Sequence, residues 1–212
     1  MLIGARLGLW GGAARLPYKC ELEFLESTGT QYINTGIAPT NTTGLLITCT
    51  VPASNSRDNI AVGCRQGGGD SRFWIDLDWT ESTLGWGFNM YSDRRSRYSI
   101  AGMAGQVLDI GLNYQNDRAG TVGGVVVDDF SNRGNLAVTT RPIYLFAGNN
   151  QGSAGVYYTG RVYRLVITDG TSVIQDLIPV LDWSDVPCMY DRVSGALYYN
   201  AGTGSFSYGA DV

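Results

Sequence analysis

Two carboxylates with the spacing of a catalytic pair lie in the segment RFWIDLDWTES, residues 72–82. Asp76 and Asp78 would share one face of an extended strand, because side chains alternate along it. Retaining glycoside hydrolysis needs two carboxyl groups about 5 Å apart. The third acid, Glu81, falls in a predicted turn, so the constellation is incomplete. The segment therefore favours a polar strand face, or a calcium or sugar contact, over catalysis.

Other catalytic groups are missing from the sequence. The chain has no histidine, which removes the usual general base, the Ser-His and Cys-His pairs and the commonest zinc ligand. The segment TVGGVVVDDF lacks the G-x-x-x-x-G-K pattern of a phosphate loop. Its Asp128 and Asp129 are adjacent and would point to opposite faces of a sheet, which favours a turn over a calcium site. We expect no enzymatic activity and no bound metal, although calcium is compatible with the acids.

Aromatic and amide side chains offer a different kind of site. A flat ring covers the apolar face of a sugar, while Asp, Asn and backbone groups fix its hydroxyls. The alternative is that the aromatic residues belong to the core and the Gly/Asn-rich segment AGNNQGSAG forms a turn. The predicted glycan-binding residues are Asp76, Asp78, Trp79, Trp86, Asn89, Tyr91, Asn149 and Asn150.

The four cysteines, Cys20, Cys49, Cys64 and Cys188, form no C-x-x-C pair. Neither a zinc ribbon nor a thioredoxin-like motif fits this spacing. Two of them lie in the apolar segments LLITCTV and IAVGCRQ, where a free cysteine acts as a small buried hydrophobe. The sequence favours reduced thiols, and one or two disulfides remain the alternative.

Charge and hydropathy limit the partners. Charged residues make up 16% of the 212 residues, and the formal net charge is -4. Such a field does not attract phosphate backbones or anionic membranes, so nucleic acid and membrane are not expected partners. The most basic cluster, SDRRSRYS, is typical of a solvated hairpin tip. No segment has the apolar length of a membrane span.

Short β-prone segments separated by turn residues recur along the chain, which contains 29 glycines and 13 tyrosines. This rhythm predicts an all-β sandwich or barrel and opposes a parallel α/β sheet. The segment RVYRLVITDG predicts a central strand with Val162, Arg164 and Val166 on one face. Asp169-Gly170 predicts a tight hairpin turn, and Pro179 predicts an edge at the end of the following strand.

Two segments carry a family resemblance. The opening LEFLESTGTQYINTGI resembles the strand pair E-Y-I-E-S-T-G-T-Q-Y-I-D-T-G, with Asn34 where Asp is frequent. The closing YTGRVYRLVITDGTSVIQDLIPV and VPCMYDRVSGALYYNAGTGSFSYG resemble the ending of the same family. These are concanavalin A-like, LamG-type jelly-roll domains of bacteriophages and gut bacteria. The resemblance implies a jelly-roll β-sandwich whose first and last strands lie side by side. Glucanases with this fold carry an E-x-D-x-E or E-x-D-x-x-E strand, and this chain has Asp76 in place of the first Glu.

The amino terminus, MLIGARLGLWGGAARLPYKC, predicts a short extended tail. Its apolar run is broken by glycines and arginines, so it fits a signal peptide poorly. It resembles a short leader found ahead of different domains in phage-like proteins. Leu7, Leu9 and Trp10 are the predicted docking anchors, because a tail with few apolar groups can order on binding and bury them. The predicted division is a tail over 1–19 and a sandwich over 20–212.

Together these observations predict a non-enzymatic phage virion surface protein. The tail would attach it to phage structural proteins, and the sandwich would display a surface for host glycans. A homo-oligomer is expected, without a defined symmetry. The alternative is a secreted or cell-surface bacterial carbohydrate-binding module, which processing of the amino terminus and disulfides would favour. A jelly-roll glycoside hydrolase is the third hypothesis.

Overall fold

The computed structural model describes residues 15–52, 59–66, 71–78, 82–89, 98–116, 118–129 and 139–212. Within these ranges the chain forms strands and one short 3₁₀ helix, Tyr114–Asn116. The strands are β1 (Tyr18–Glu21), β2 (Leu25–Ser27), β3 (Ile33–Asn34), β4 (Thr43–Thr50), β5 (Ile60–Gln66), β6 (Ser71–Asp78), β7 (Thr83–Asn89), β8 (Tyr98–Ser99), β9 (Val107–Leu112), β10 (Ala119–Val122), β11 (Val125–Asp129), β12 (Tyr144–Leu145), β13 (Gly148–Asn150), β14 (Ser153–Gly155), β15 (Gly160–Asp169), β16 (Ser172–Asp182), β17 (Pro187–Asp191), β18 (Leu197–Tyr198) and β19 (Ser207–Tyr208).

These strands build two packed sheets. The larger sheet has the order β11-β10-β9-β4-β15-β16-β17-β18, with β1 beside β16 and β2 between β15 and β19. The smaller sheet has the order β14-β13-β5-β6-β7-β8, and β12 joins β5 to β3. Pairing is antiparallel except between β13 and β5. The prediction of an all-β sandwich is confirmed, and no α-helix occurs in the described ranges.

The core lies between the two sheets and is filled by alternating side chains. Leu45, Ile47 and Cys49 of β4 point inward from the larger sheet, and Phe73 and Ile75 of β6 meet them from the smaller one. All five are fully buried. Burial of each aliphatic or aromatic side chain contributes about 1.5–3 kcal/mol, so this layer is the main source of stability.

The opening stretch connects the two sheets. Its two predicted strands form, but β2 belongs to the larger sheet and β3 to the smaller one, so they are not a hairpin. The buried side chain of Gln31 holds the crossing: its Oε1 accepts from Ser27 Oγ at 3.0 Å and from Thr28 N at 2.9 Å. A run of small hydroxylated residues suits this path, because the side chains replace hydrogen bonds that no ladder supplies.

The last strand lies beside the second strand and not beside the first as expected, because β1 pairs with β16. Strand β19 pairs with β2 in the register Ser207↔Glu26, and Leu22 bridges to Asp211. The first strand begins at Tyr18, two residues before the predicted start of the sandwich.

Strand β15 is central, because it pairs with β4 along one edge and with β16 and β2 along the other. The predicted face assignment is wrong at its start. The register with β4 shifts between Val162 and Arg164, so Val162 lies in the core with Leu165 while Arg164 is exposed. A β-bulge places two residues against one and reverses the alternation locally. The predicted hairpin is confirmed by the pairing of β15 with β16, but the turn falls one residue later than predicted, at Gly170 and Thr171, because Asp169 still pairs with Ser172.

Pro179 does not mark an edge, which corrects the sequence prediction. It lies inside β16, opposite Met189 of β17. The other side of β16 changes partner at this point, from β15, whose pairing ends at Leu177, to β1, whose pairing reaches Val180. Proline has no N–H to donate, and the carbonyl of Pro179 accepts from Leu22 N at 2.9 Å. The proline therefore occupies the junction between two partner strands.

The predicted turn at Asp128 and Asp129 is also wrong. Both residues belong to β11, where they pair with Gly120 and Ala119 of β10. The reversal occurs earlier, at Gly123 and Gly124, which have φ values of 57° and 78°. Glycine adopts this left-handed region without the clash of a Cβ atom, so the two glycines and not the two acids set the turn.

Candidate functional site

Trp74 stands on the outer face of the smaller sheet, which is the face turned away from the larger sheet. It pairs across the sheet with Gly63 of β5 and Gly87 of β7. The neighbouring Phe73 and Ile75 point into the core, whereas Trp74 is half-buried. Both flanking glycines are buried, and without side chains at these positions the Trp74 ring lies low over the backbone.

The two glycines are required by close contacts with Trp74. A Cβ atom on Gly87 would lie 2.7 Å from the indole Nε1, which places the ring directly over this residue. A Cβ atom on Gly63 would lie 2.3 Å from Trp74 Cβ and 2.4 Å from the carbonyl oxygen of Phe73. Carbon atoms make favourable contact at about 3.5–4.0 Å, so neither position accepts a side chain without displacement.

Three tyrosines continue this surface on the far side of Gly63. Tyr144 of β12 pairs with Gly63, so its Cα and that of Trp74 are separated by two strand spacings, about 10 Å. The ring of Tyr32 lies 4.7 Å from that of Tyr144, and Tyr157 lies 6.5 Å from Tyr32. Tyr32 and Tyr157 are half-buried, and Tyr144 is 7% exposed beneath them. We call this surface the aromatic face, comprising Tyr32, Gly63, Trp74, Gly87, Tyr144 and Tyr157.

The hydroxyl of Tyr144 stays protonated at neutral pH. Burial raises its pKa above the ordinary value, the neighbouring Tyr32 adds to the increase, and Arg141 opposes it. A neutral phenol both donates and accepts hydrogen bonds. The aromatic face therefore offers ring surface and hydroxyl groups without a negative charge from this residue.

Of the two predicted acids, Asp76 lies on the outer face, two residues beyond Trp74 on β6. It pairs with Gly85 and is 6% exposed. Asp78 ends the same strand, in register with Thr83. In the described ranges no group of three or more Cys, Asp or Glu side chains is arranged to hold a metal ion.

Two of the three predicted asparagines, Asn149 and Asn150, have different environments. Asn149 is buried, its Nδ2 donates to the carbonyl of Pro142 at 2.8 Å, and its Oδ1 accepts from Gly152 N at 2.8 Å. These bonds hold the β13–β14 hairpin. Asn150 is exposed, and its Oδ1 accepts from Arg65 Nε at 2.6 Å. Asn150 is therefore presented at the surface, whereas Asn149 supports the turn.

Trp86 is a core residue. It is 1% exposed, and its Nε1 donates to the carbonyl oxygen of Gly111 in the larger sheet at 2.7 Å. A Cβ atom on Gly120 would lie 2.6 Å from the indole ring, so glycines of the opposite sheet make room for it. With no exposed ring, Trp86 has no surface on which a sugar can stack.

The remaining predicted residues are defined only in part. Asn89 ends β7 in register with Arg72. Trp79, Tyr91 and the predicted anchors Leu7, Leu9 and Trp10 lie outside the described residues. The structure thus gathers Asp76, Asn89 and Asn150 on one sheet with Trp74.

The sequence prediction omitted the residues that centre this surface, Trp74 and the tyrosines. One signal was available: Gly63 and Gly87 stand in the apolar segments IAVGC and GWGF, where a side chain would otherwise pack. That signal gains meaning only when the strand register places both glycines beside Trp74.

The cysteines are all free thiols, as the favoured interpretation required. Burial raises the pKa of Cys49, Cys64 and Cys188 to about 12. A thiol with so high a pKa carries almost no thiolate at neutral pH and is a poor nucleophile. These three cysteines act as packing residues.

Comparison with known proteins finds no match. No protein-family model matches the chain, and no curated protein matches it. The structure defines an all-β sandwich with an aromatic outer face, and the resemblance to concanavalin A-like jelly rolls stays a prediction. In the described part of the chain, no helix has the length and hydropathy needed to cross a membrane.

Proposed function

We propose that this protein is a non-enzymatic, virion-type surface protein whose β-sandwich binds host-surface glycans through the aromatic face. The observation that carries the proposal is the position of Trp74. Its ring lies over Gly87, and Gly63 separates it from the tyrosine group. Sugar rings bind on such surfaces because their C–H faces pack on aromatic rings.

The spacing of the aromatic groups supports a chain of sugars as the ligand. Trp74 and Tyr144 are separated by about 10 Å across the sheet, with the buried Gly63 on the strand between them. A stiff polymer crossing the strands would contact the tryptophan with one sugar and the tyrosine group with another. Two moderate contacts then give tighter binding than either alone, because binding of the first sugar holds the next sugar near its ring at a high effective concentration.

Polar groups around the rings supply hydrogen bonds for sugar hydroxyls. Asn34 is exposed and pairs in register with Tyr144. Asp76 and Asn150 lie on the same sheet on either side of the Trp74 rung. Carboxylate and amide oxygens accept from adjacent sugar hydroxyls, and the amide nitrogen donates to them. This combination of ring surface and convergent polar groups is typical of small-ligand sites.

The virion location rests on the amino-terminal segment and on the thiols. Arg15 stacks on Trp183, 3.3 Å from the ring centroid, and the indole Nε1 donates to Leu16 O at 3.1 Å. The preceding residues carry the predicted anchors. Four free thiols support this hypothesis over a secreted module, for which disulfides were expected.

The glycan proposal is tested with an array of purified bacterial surface polysaccharides. Trp74→Ala should weaken binding at least about tenfold, because buried tryptophans at interfaces commonly contribute 2 kcal/mol or more. Trp183→Ala is the matched control: Trp183 is 49% exposed and lies in the turn between β16 and β17, away from the smaller sheet. Equal loss in both variants, or wild-type binding by Trp74→Ala, would refute the aromatic face as the site.

The attachment proposal has a separate test. Deletion of residues 1–12 should leave the thermal unfolding of the sandwich unchanged and abolish incorporation into particles. A deletion variant that is still incorporated would show that the segment is not the anchor.

A further inference from the structure

Four large apolar or aromatic side chains are exposed together around the turn between β16 and β17, residues 183–186. Trp183 and Val186 belong to this turn, and Leu16 and Tyr199 lie beside it. Tryptophan is highly buried on average, so an exposed one is uncommon. Single apolar groups on a surface need no explanation, whereas a contiguous group marks an interaction site. We call this group the turn surface: Leu16, Trp183, Val186 and Tyr199.

Hydrogen bonds join these residues into one surface. The indole Nε1 of Trp183 donates to Leu16 O at 3.1 Å. Asp182 connects the other two: its Oδ1 accepts from Val186 N at 2.8 Å, and its Oδ2 accepts from the Tyr199 hydroxyl at 3.0 Å. Asp182 itself is buried. The turn is therefore held by an internal carboxylate, and its apolar side chains remain at the surface.

Two basic residues border the turn surface. Lys19 Nζ pairs with Asp185 Oδ1 at 2.6 Å. The Arg15 guanidinium lies 3.3 Å from the centroid of the Trp183 ring and covers one of its faces, yet Trp183 is still half exposed. In the described part of the chain, Arg15 makes no ion pair. An exposed tryptophan beside an arginine without a counter-charge is typical of protein interfaces, where both residue types are enriched.

The amino-terminal segment indicates which partner reaches the turn surface. Arg15 is the first described residue, and it lies on the Trp183 ring. The predicted anchor Trp10 stands five residues earlier, and five residues span at most about 18 Å when fully extended. A typical interface covers about 800 Å² on each partner, which is a patch roughly 30 Å across. A protein that binds Trp10 is therefore close enough to contact the turn surface in the same interface.

Building on the proposed attachment function, we propose that the turn surface docks on the same phage structural protein that binds the amino-terminal anchors. The partner offers an apolar pocket to Trp183 and a carboxylate to Arg15. The anchors hold the turn surface at a high effective concentration near this pocket, so the second contact adds affinity and fixes the orientation of the sandwich on the particle.

The first test measures the reactivity of Trp183 in purified virions that carry the full-length chain. Hydroxyl-radical oxidation, read by mass spectrometry, is compared between intact virions and the chain released from them. Trp183 should be oxidised at least about fivefold more slowly in the virion, because interface cores pack as densely as protein interiors and exclude the reagent. Thr171→Trp supplies the matched control: its tryptophan stands at the other end of β16, roughly 35 Å away, and should react equally in both samples.

Variants assign the docking to the turn surface. In competition with the wild-type chain, Trp183→Ala should lower incorporation into virions at least about tenfold, because a central interface tryptophan contributes about 2 kcal/mol or more. Arg15→Gln should lower incorporation less, since an exposed ion pair contributes under about 1 kcal/mol. Ile174→Ala is the control, because this exposed residue lies at the far end of β16. Thermal unfolding and glycan binding should be unchanged in all three variants.

The outcomes separate this inference from the function on which it rests. If deletion of residues 1–12 abolishes incorporation while Trp183→Ala competes like the wild type, the attachment proposal stands and the docking surface is refuted. Self-association of the purified chain in sedimentation velocity, lost in Trp183→Ala, would assign the surface to a second copy instead. Faster oxidation of Trp183 in the free chain after the deletion would show that the chain's own segment covers it. Absence of the wild-type chain from virions would overturn both proposals.

Discussion

Substitution of Gly87 by alanine tests how the aromatic face is built. Its backbone φ lies outside the left-handed range, so alanine adds only a Cβ atom. That atom would lie 2.7 Å from Trp74 Nε1 and 2.9 Å from Cδ1 and Cε2. Favourable contact requires about 3.5 Å or more, so the indole must move away from the sheet by about 0.6–0.8 Å. Overpacking costs about 1–3 kcal/mol, and we expect the lower end because the ring is half-buried.

Two measurements follow the displacement. The indole N–H of Trp74 gives one resonance in a ¹H–¹⁵N NMR spectrum, assigned by its disappearance in Trp74→Phe. In Gly87→Ala this resonance should shift while that of the core residue Trp86 does not. Urea unfolding should report a loss of about 1 kcal/mol. Glycan affinity should fall as well, because the ring no longer lies flat on the sheet.

Gly155→Ala is the control, since a Cβ atom there meets nothing within 4 Å in the same sheet. It should leave the Trp74 resonance and the free energy of unfolding unchanged. If Gly87→Ala behaves like this control, the Trp74 ring does not rest on Gly87 and the description of the aromatic face is wrong.

Three further predictions concern stability. Trp86→Ala should lower the free energy of unfolding by about 3–5 kcal/mol in urea denaturation, because it removes a fully buried ring; a loss below 1 kcal/mol would contradict its core position. The free energy of unfolding should fall as pH rises from about 9 toward 12. Burial raises the pKa of Cys49, Cys64 and Cys188 to about 12. In this pH range the unfolded chain releases thiol protons that the folded chain keeps. The slope is about 1.4 kcal/mol per pH unit for each thiol, and Cys64→Ala should reduce it by one thiol; an unchanged slope would refute this explanation. Asp176→Asn should lower the free energy of unfolding by about 1–3 kcal/mol at pH 7, because the carboxylate accepts hydrogen bonds from Arg164 and Arg192 at 2.6–3.0 Å. The difference in unfolding free energy between variant and wild type should shrink at pH 2. A difference that stays constant would argue against an ionic origin.

The Asp176 prediction has a defined sign. Burial opposes ionisation of this carboxyl, but hydrogen bonds and charge from Arg164 and Arg192 outweigh it and lower the pKa. A lowered pKa contributes stability that is present above the unfolded value and lost as pH falls through the folded one. Both arginines are 46% exposed, so solvent screening limits the effect.

Local chemistry made much of the fold predictable. The β4 segment alternates apolar residues with the period of a strand, and Gly170 specifies its turn through its own backbone preference. The sequence also placed Cys49 and Cys64 among packing residues because their neighbours are apolar. In each case the signal lies within a few residues of the feature it predicts.

The candidate site was less predictable because it depends on pairing between distant strands. Trp74 and Trp86 stand in similar alternating segments, yet Trp86 enters the core and Trp74 faces outward. Trp86 fits because Gly111 and Gly120 of the opposite sheet supply an acceptor and a space. Asn150 reaches the same face as Trp74 through the parallel pairing of β13 with β5.

The sequence by itself determined an all-β chain, the positions of most strands and the hairpin at Gly170, because alternation and turn chemistry act over a few residues. Only the tertiary structure decided that β2 and β3 join different sheets, that Pro179 lies at a change of strand partner, and that Trp74 lies over Gly87 on the outer face of the smaller sheet. Which face of a strand is buried depends on the sheet that packs against it, and that sheet is formed by residues far away in the chain.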